Sequence, residues 1–221
     1  MLRHEKRRGL ERREYIPLFL IVLMFAIGSF SYHYVPERIP THWNAKGEID
    51  GYSGKAGGLF LMPIITLVLY IGLSFVPYLA SYRQEVKSFH FLLFIVKMIL
   101  IAFMLLLYML TLMPAYGYVL DMNIWLAPIF ALMFYGLGHV IGKAKRNYFI
   151  GIRTPWTLAS DEVWEKTNKR GGILFKLSAL LIAIYVMFSS QFIIPMMALI
   201  ILLGVYLVFY SYRLHKKIMK R

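Results

Sequence analysis

Three side chains that could do chemistry lie close together in one short polar segment, residues 35–58. His42, Glu48 and Asp50 are of the types that bind zinc and similar metals. They follow no recognised ligand spacing, so we predict no metal site. The chain has no cysteine, which excludes disulfides and thiolate catalysis. Because no nucleophile and base are spaced for catalysis either, we expect neither an enzyme nor a cofactor.

The same segment carries turn-forming and aromatic residues. Gly47 and Gly51 each follow a polar residue, as is typical of tight turns. The stretch 48–50 between them is short enough for one strand, so a small hairpin is predicted. Trp43 and Tyr52 are expected either at the level of the lipid headgroups or in contact with an incoming peptide.

A second patterned segment covers residues 143–172. Tyr148 to Thr154 is β-branched and aromatic, and Pro155 favours an extended Thr154. Ser160 has the features of a helix N-cap, and Gly171 those of a helix stop. This pattern predicts a short amphipathic helix on the membrane surface or against the helix bundle.

Arg153 lies on the stiff backbone that precedes Thr-Pro, so its planar guanidinium has a fixed direction. Such a group suits a carboxylate on a partner protein or a lipid phosphate. The alternative is structural: Arg153, Trp156 and Trp164 only fasten the segment to the rest of the protein.

The elements that must position these two segments are apolar. Of 221 residues, 59% are hydrophobic and 16% charged, whereas soluble domains have about 25% charged residues. The apolar residues form runs long enough to cross a hydrocarbon core of about 30 Å. A soluble enzyme, a coiled coil and a disordered chain are therefore excluded. Six helical spans are predicted: Tyr15–Tyr34, Leu59–Ala80, Phe91–Met113, Ile124–Gly142, Ile173–Phe188 and Phe192–Tyr212.

The net charge of +14 is sorted by loop. Twenty lysines and arginines fall on one predicted side of the membrane and three on the other, which predicts that both termini are cytoplasmic. The expected fold is an all-α six-transmembrane-helix bundle. A cleaved signal peptide is the alternative for the first span, but its apolar run is longer than usual.

This reading divides the chain into five parts. They are a basic cytoplasmic arm (1–14), a four-span part (15–142) with the extracytoplasmic loop 35–58, a cytoplasmic motif loop (143–172), a two-span part (173–212) and a basic cytoplasmic tail (213–221). No aspartate or glutamate falls inside the predicted spans, which counts against proton-coupled transport. Lys97 is expected to extend toward the cytoplasmic face.

Both polar segments resemble a known family. The inner sequence Asn147-Tyr-Phe-Ile-Gly-Ile-Arg-Thr-Pro-Trp-Thr-Leu158, followed by Asp161-Glu-Val-Trp164, resembles the hallmark of the SdpI family of integral membrane proteins. The outer sequence Pro36-x-x-Ile-Pro-x-His-Trp-Asn-x-x-Gly-x-x-Asp-Gly51 resembles the extracytoplasmic motif of its longer-looped members. Many members have a histidine where this chain has Asn168.

The resemblance implies a plasma-membrane protein that protects its cell from a membrane-active peptide toxin and holds a cytoplasmic repressor at the membrane. It implies contact with the bilayer, a secreted toxin and a repressor, and no direct contact with nucleic acid. The alternative is a small-molecule or lipid transporter, or a membrane-embedded lipid-handling enzyme. The residues expected to meet the partner are Asn147, Gly151, Arg153, Thr154, Pro155, Trp156, Thr157 and Trp164. Those expected to meet the peptide are His42, Trp43, Asn44, Gly47, Asp50 and Gly51.

Overall fold

The computed structural model describes residues 2–79 and 86–220, so the predicted loop between the second and third spans lies largely outside the described residues. Within these ranges the chain is mostly helical. The helices are α1 (Leu2–Ser31), α2 (Lys55–Leu79), α3 (Val86–Leu112), α4 (Met122–Ile141), α5 (Pro155–Ala159), α6 (Asp161–Tyr185) and α7 (Ile193–Ile218), with one 3-10 turn at Pro114–Tyr116. Two strands, β1 (Arg38–Trp43) and β2 (Ile49–Gly54), form an antiparallel hairpin.

Five helices in the described ranges are long and apolar enough to cross a membrane. These candidate spans are Arg12–Ser31, Lys55–Pro77, Phe89–Tyr116, Met122–Ile141 and Ile193–Ile218. A helix satisfies its own backbone hydrogen bonds, which is why long apolar runs become helices in lipid. Many of their large apolar side chains are exposed on the protein surface, as lipid contact allows. The chain is a multi-pass membrane protein.

The sixth predicted span is the second half of α6, whose first half is polar. The expectation of a separate short amphipathic helix that stops at Gly171 is wrong, because α6 continues unbroken from Asp161 to Tyr185. The two glycines lie inside the helix for a packing reason. A Cβ atom on Gly172 would lie 2.6 Å from the carbonyl oxygen of Gly138, and one on Gly171 would overlap the side chain of Ile152. They allow close approach and do not end the helix.

The first compact unit comprises residues 1–74 and 97–122. Its core includes Met24, Ile39, Leu59, Tyr108 and Leu112, so the hairpin is anchored through β1 to the apolar helices. The predicted hairpin is confirmed. The fold is therefore not purely α-helical.

The second unit comprises residues 75–96 and 123–221 and contains α4, α5, α6 and α7. Its core holds Ala127, Phe134, Ala179, Ile182 and Phe192. This unit carries the whole patterned segment 143–172.

Candidate functional site

Asn147 organises the start of the inner motif. Its Oδ1 accepts hydrogen bonds from the backbone N–H groups of Phe149 (2.7 Å) and Ile150 (2.6 Å). Its Nδ2 donates to the carbonyl oxygens of Lys145 and Ile150, both at 2.8 Å. The residue is 4% exposed. Asn147 is therefore fully used in shaping the loop, and its amide does not face a partner.

Gly151 and Asn168 form the next part of the motif. Gly151 has a φ of +125°, a conformation that favours glycine, and a Cβ atom there would lie 2.6 Å from Oδ1 of Asn168. That oxygen accepts a hydrogen bond of 2.7 Å from the backbone N–H of Ile152, while Nδ2 of Asn168 donates to the carbonyl oxygen of Trp164 at 3.0 Å. Sequence analysis gave Asn168 no role. The one sequence feature that could have pointed to Asn168 is its position one helical turn after Trp164.

Thr154 and Thr157 begin α5, a helix that was not predicted. Thr154 is extended, as Pro155 predicts, with φ −120° and ψ 162°. The two threonines form a capping box, in which each side chain bonds the other's backbone N–H. Thr154 also reaches α7, because its Oγ1 lies 3.0 Å from Oγ of Ser211. Both threonines are buried, so they fix the loop and are not a contact surface.

Trp164 is a buried anchor on α6. Its Nε1–H donates a hydrogen bond of 2.6 Å to the carbonyl oxygen of Ala144, and the side chain is 2% exposed. Ser160 accepts a hydrogen bond from the backbone N–H of Val163, which confirms the predicted N-cap. The C-terminal half of the motif is thus tied to the chain that follows α4.

Arg153 differs from these residues because it is exposed. Its Nη1 donates to the carbonyl oxygen of Tyr148 at 2.5 Å, which holds the guanidinium against the loop. Asp161, a possible internal partner, instead accepts from Nε of Arg146 at 2.8 Å. In the part of the chain that the structure describes, no carboxylate forms a salt bridge with Arg153. Within residues 2–79 and 86–220 its charge therefore has no carboxylate counter-ion.

Next to Arg153 in sequence lies an aromatic surface. The half-buried ring of Trp156 packs on Tyr212 of α7, with centroids 5.0 Å apart, and Nζ of Lys216 lies 5.9 Å from the Tyr212 centroid. We call Arg153, Pro155, Trp156, Tyr212 and Lys216 the exposed patch. It contains three of the eight inner residues selected from sequence.

The hairpin turn is built by Asn44. Its Oδ1 accepts from the backbone N–H groups of Lys46 (2.9 Å) and Glu48 (3.1 Å), and its Nδ2 donates to Glu48 Oε2 at 2.8 Å. Gly47 has a φ of +84°, which confirms the turn predicted there. Asn44 and Gly47 therefore shape the turn.

The second turn predicted in this segment, at Asp50-Gly51, is wrong. Both residues lie in β2, where Gly51 pairs with His42 across a local irregularity. A Cβ atom on Gly51 would lie 2.8 Å from Cβ of His42, so the glycine makes room for that side chain. The pair of His42 Nδ1 and Asp50 Oδ1, 2.5 Å apart, is solvent-exposed. Among the residues described, no three histidine, cysteine or acidic side chains converge to hold a metal.

One polar cluster was missed by sequence analysis. Lys97, expected to extend toward the cytoplasmic face, is 4% exposed and pairs with Glu14 of α1 at 2.5 Å. Tyr70 of α2 donates to the same carboxylate at 3.1 Å, and Ser74 lies 3.5 Å from the Lys97 ammonium. Glu14 belongs to the candidate span Arg12–Ser31, so the expectation that the spans contain no acid is wrong. The partners are 83 residues apart, and nothing local signals their contact.

Two family models match separate parts of the chain. The model of the SdpI/YfhL protein family matches residues 143–211, which include the whole inner motif from Asn147 to Trp164. This part of the chain is therefore similar to the SdpI/YfhL family. A second model, a domain of unknown function (DUF1648), matches residues 19–67 and covers the hairpin.

A full-length relative extends the SdpI resemblance beyond the inner motif. The Immunity protein SdpI of Bacillus subtilis (strain 168) is 26% identical over 208 residues, which make up 94% of this chain and 98% of that protein. The resemblance to the SdpI family seen in the two motifs is thereby confirmed. No solved structure matches the chain.

Proposed function

We propose that this SdpI-family chain is a plasma-membrane immunity protein that protects its cell against a membrane-active peptide toxin. The observation that carries the proposal is the relationship to an immunity protein over almost the whole length of both chains. The membrane-spanning helices are where a membrane-active peptide would be met. In this proposal the second half of α6 completes a six-span bundle with both termini in the cytoplasm.

The hairpin is the proposed peptide-facing surface. Asn44, Gly47 and Gly51 hold its shape, so the side chains that remain for contact have fixed positions. Trp43 is half-buried and Tyr52 is exposed, and aromatic side chains of this kind supply much of the energy at protein–peptide interfaces.

The exposed patch is the proposed surface for a cytoplasmic repressor. Arg153 has no internal carboxylate partner among the described residues, and its guanidinium is held in place by the carbonyl of Tyr148. A planar guanidinium and, three residues further along the chain, an indole ring suit a partner that offers a carboxylate and an apolar side chain. The four buried residues of the motif would then act indirectly, by shaping this surface.

Protection tests the proposal. The chain is expressed in a toxin-sensitive host, and survival is measured with each of a set of secreted membrane-active peptides. Trp43→Ala should abolish protection at an unchanged protein level in the membrane, because loss of an interface aromatic costs about 2 kcal/mol or more. Tyr148→Ala, which removes an exposed aromatic from the other motif, is the matched control and should protect normally. If the chain protects the host against none of the peptides tested, the immunity proposal is overturned.

A further inference from the structure

A long apolar groove runs along the second unit between α4 and α6. It has a volume of about 600 Å³, within the range of small-molecule sites. Its walls are almost entirely apolar, and its polar side chains are Lys176 and Tyr135. We propose that this groove binds one acyl chain of an anionic phospholipid, whose phosphate is held by Lys176. The site does not depend on the immunity proposal.

The groove exists because α4 and α6 are in contact at one end and carry small residues on their facing sides further along. At the close end, a Cβ atom on Gly138 would lie 2.7 Å from the carbonyl oxygen of Gly172. Further along, the facing positions are Pro128 and Ala131 on α4 and Ala179 and Ala183 on α6. These side chains are too short to fill the space between the helices.

The length of the groove fits one lipid tail. Its α6 wall extends from Ile173 to Ala183, eleven residues, which at 1.5 Å per residue is about 16 Å. This is about half of a hydrocarbon core that is roughly 30 Å thick, the depth of one leaflet. A membrane-spanning peptide helix would need a groove about twice as long, so a lipid tail is the better fit.

The charge lies at the end where a headgroup would be. Gly172 meets Gly142 just beyond Ile141, the last residue of the α4 candidate span, and Lys176 is one helical turn further along α6. A lysine side chain can span one helical turn, so the Lys176 ammonium can reach the headgroup layer while its methylene groups lie on apolar surface. The Cγ atom of Lys176 lies 3.1 Å from the position that a Cβ atom on Gly138 would take, so these methylene groups pass the close end of the groove.

Lys176 has no salt-bridge partner among the residues that the structure describes. Its charge is therefore available to a ligand. A lipid phosphate provides the opposite charge at the right depth, and Tyr135, three residues before Gly138 on α4, also lines the groove and offers a hydroxyl as a further donor.

Native mass spectrometry of the full chain in detergent tests the headgroup. Phosphatidylglycerol and phosphatidylcholine with identical acyl chains are compared as probes. We expect phosphatidylglycerol to be retained about fivefold better, since one lysine near anionic headgroups contributes about 1 kcal/mol. Lys176→Gln should remove this preference and Lys176→Arg should keep it. The matched control Lys169→Gln neutralises an exposed lysine of the same helix that does not line the groove, and it should leave the preference unchanged.

The acyl chain is tested by filling the groove. Ala183→Leu should reduce retention of both lipids, whereas Gly204→Leu adds slightly more bulk at an open position on α7 and should not. Equal retention of the two lipids by the unaltered chain would overturn the proposal. Unchanged lipid retention by Ala183→Leu would also overturn it. The same holds if free glycerol phosphate, which has no acyl chain, displaces phosphatidylglycerol from the protein.

Discussion

The indole nitrogen of Trp164 and the carbonyl oxygen of Ala144 are joined by a hydrogen bond of 2.6 Å between two buried groups, 20 residues apart. This bond closes the inner motif onto the segment that follows α4. A buried acceptor that loses its donor costs about 1–3 kcal/mol.

Trp164→Phe should therefore destabilise the protein by about 1–3 kcal/mol while keeping an aromatic ring in the core. The measurement is unfolding of the purified chain in detergent. Trp156→Phe is the control, because no hydrogen bond from the Trp156 ring is described and its contact with Tyr212 is kept. Equal stability of Trp164→Phe and the unaltered chain would contradict an anchoring role.

Gly151→Ala should destabilise the motif by about 1–3 kcal/mol, because it places a side chain at a φ of +125° and against Asn168. Gly117→Ala is a useful comparison. That glycine also has a positive φ, 87°, but nothing lies within 4 Å of an added Cβ atom. Thermal unfolding should show the larger loss for Gly151→Ala. If the losses are equal, backbone conformation alone explains the need for glycine.

Removing the carboxylate of Glu14 should cost about 3–5 kcal/mol, because the Lys97 ammonium, whose side chain is 5% exposed, is left buried without a counter-charge. We expect a large loss of stability for Glu14→Gln and partial recovery in the double variant Glu14→Gln/Lys97→Met. A double-mutant cycle of unfolding free energies measures the coupling. Additive losses would mean that the pair does not act as a unit.

Arg153→Lys keeps the charge of the exposed patch but loses the planar geometry of the guanidinium. Under the proposed function, capture of a cytoplasmic repressor should fall about tenfold or more, while protection against the toxin survives. Membrane recruitment of the repressor and host survival are measured in the same cells. Lys166→Gln, which alters an exposed lysine paired with Glu162, is the control. A joint fall in both activities and in thermal stability would identify Arg153 as a structural clamp.

Topology can be measured cleanly because the chain has no cysteine. Thr41→Cys and Lys169→Cys place a thiol at exposed positions of the hairpin and of α6. With a membrane-impermeant reagent, we expect Thr41→Cys to label in intact cells and Lys169→Cys only after permeabilisation. Equal labelling of the two in intact cells would contradict the proposed orientation. Ser160 is avoided because it caps α6.

The apolar helices could be predicted from sequence because their length and composition are local properties. The hairpin and the Ser160 cap were predictable for the same reason: a turn glycine and an N-cap act on their immediate neighbours. The continuity of α6 was not. Whether Gly171 and Gly172 end a helix or admit another helix depends on Gly138, which is remote in sequence.

The inner site was predicted only in part. Sequence analysis selected a contiguous motif, but a motif does not distinguish residues that build a loop from residues that the loop presents. Asn147, Thr154, Thr157 and Trp164 are buried, whereas Arg153 is exposed. Asn168 was overlooked because its hydrogen bond to Ile152 spans 16 residues.

The unbroken course of α6 has a mechanical consequence. Its 25 residues make a helix about 37 Å long, longer than a hydrocarbon core of about 30 Å. One end carries Trp164 and Asn168, and the other forms a wall of the groove beside α4. Because a single helix carries both, no loop separates the inner motif from the groove wall. A substitution that changes how α6 packs on one of these regions therefore acts on the helix that also builds the other.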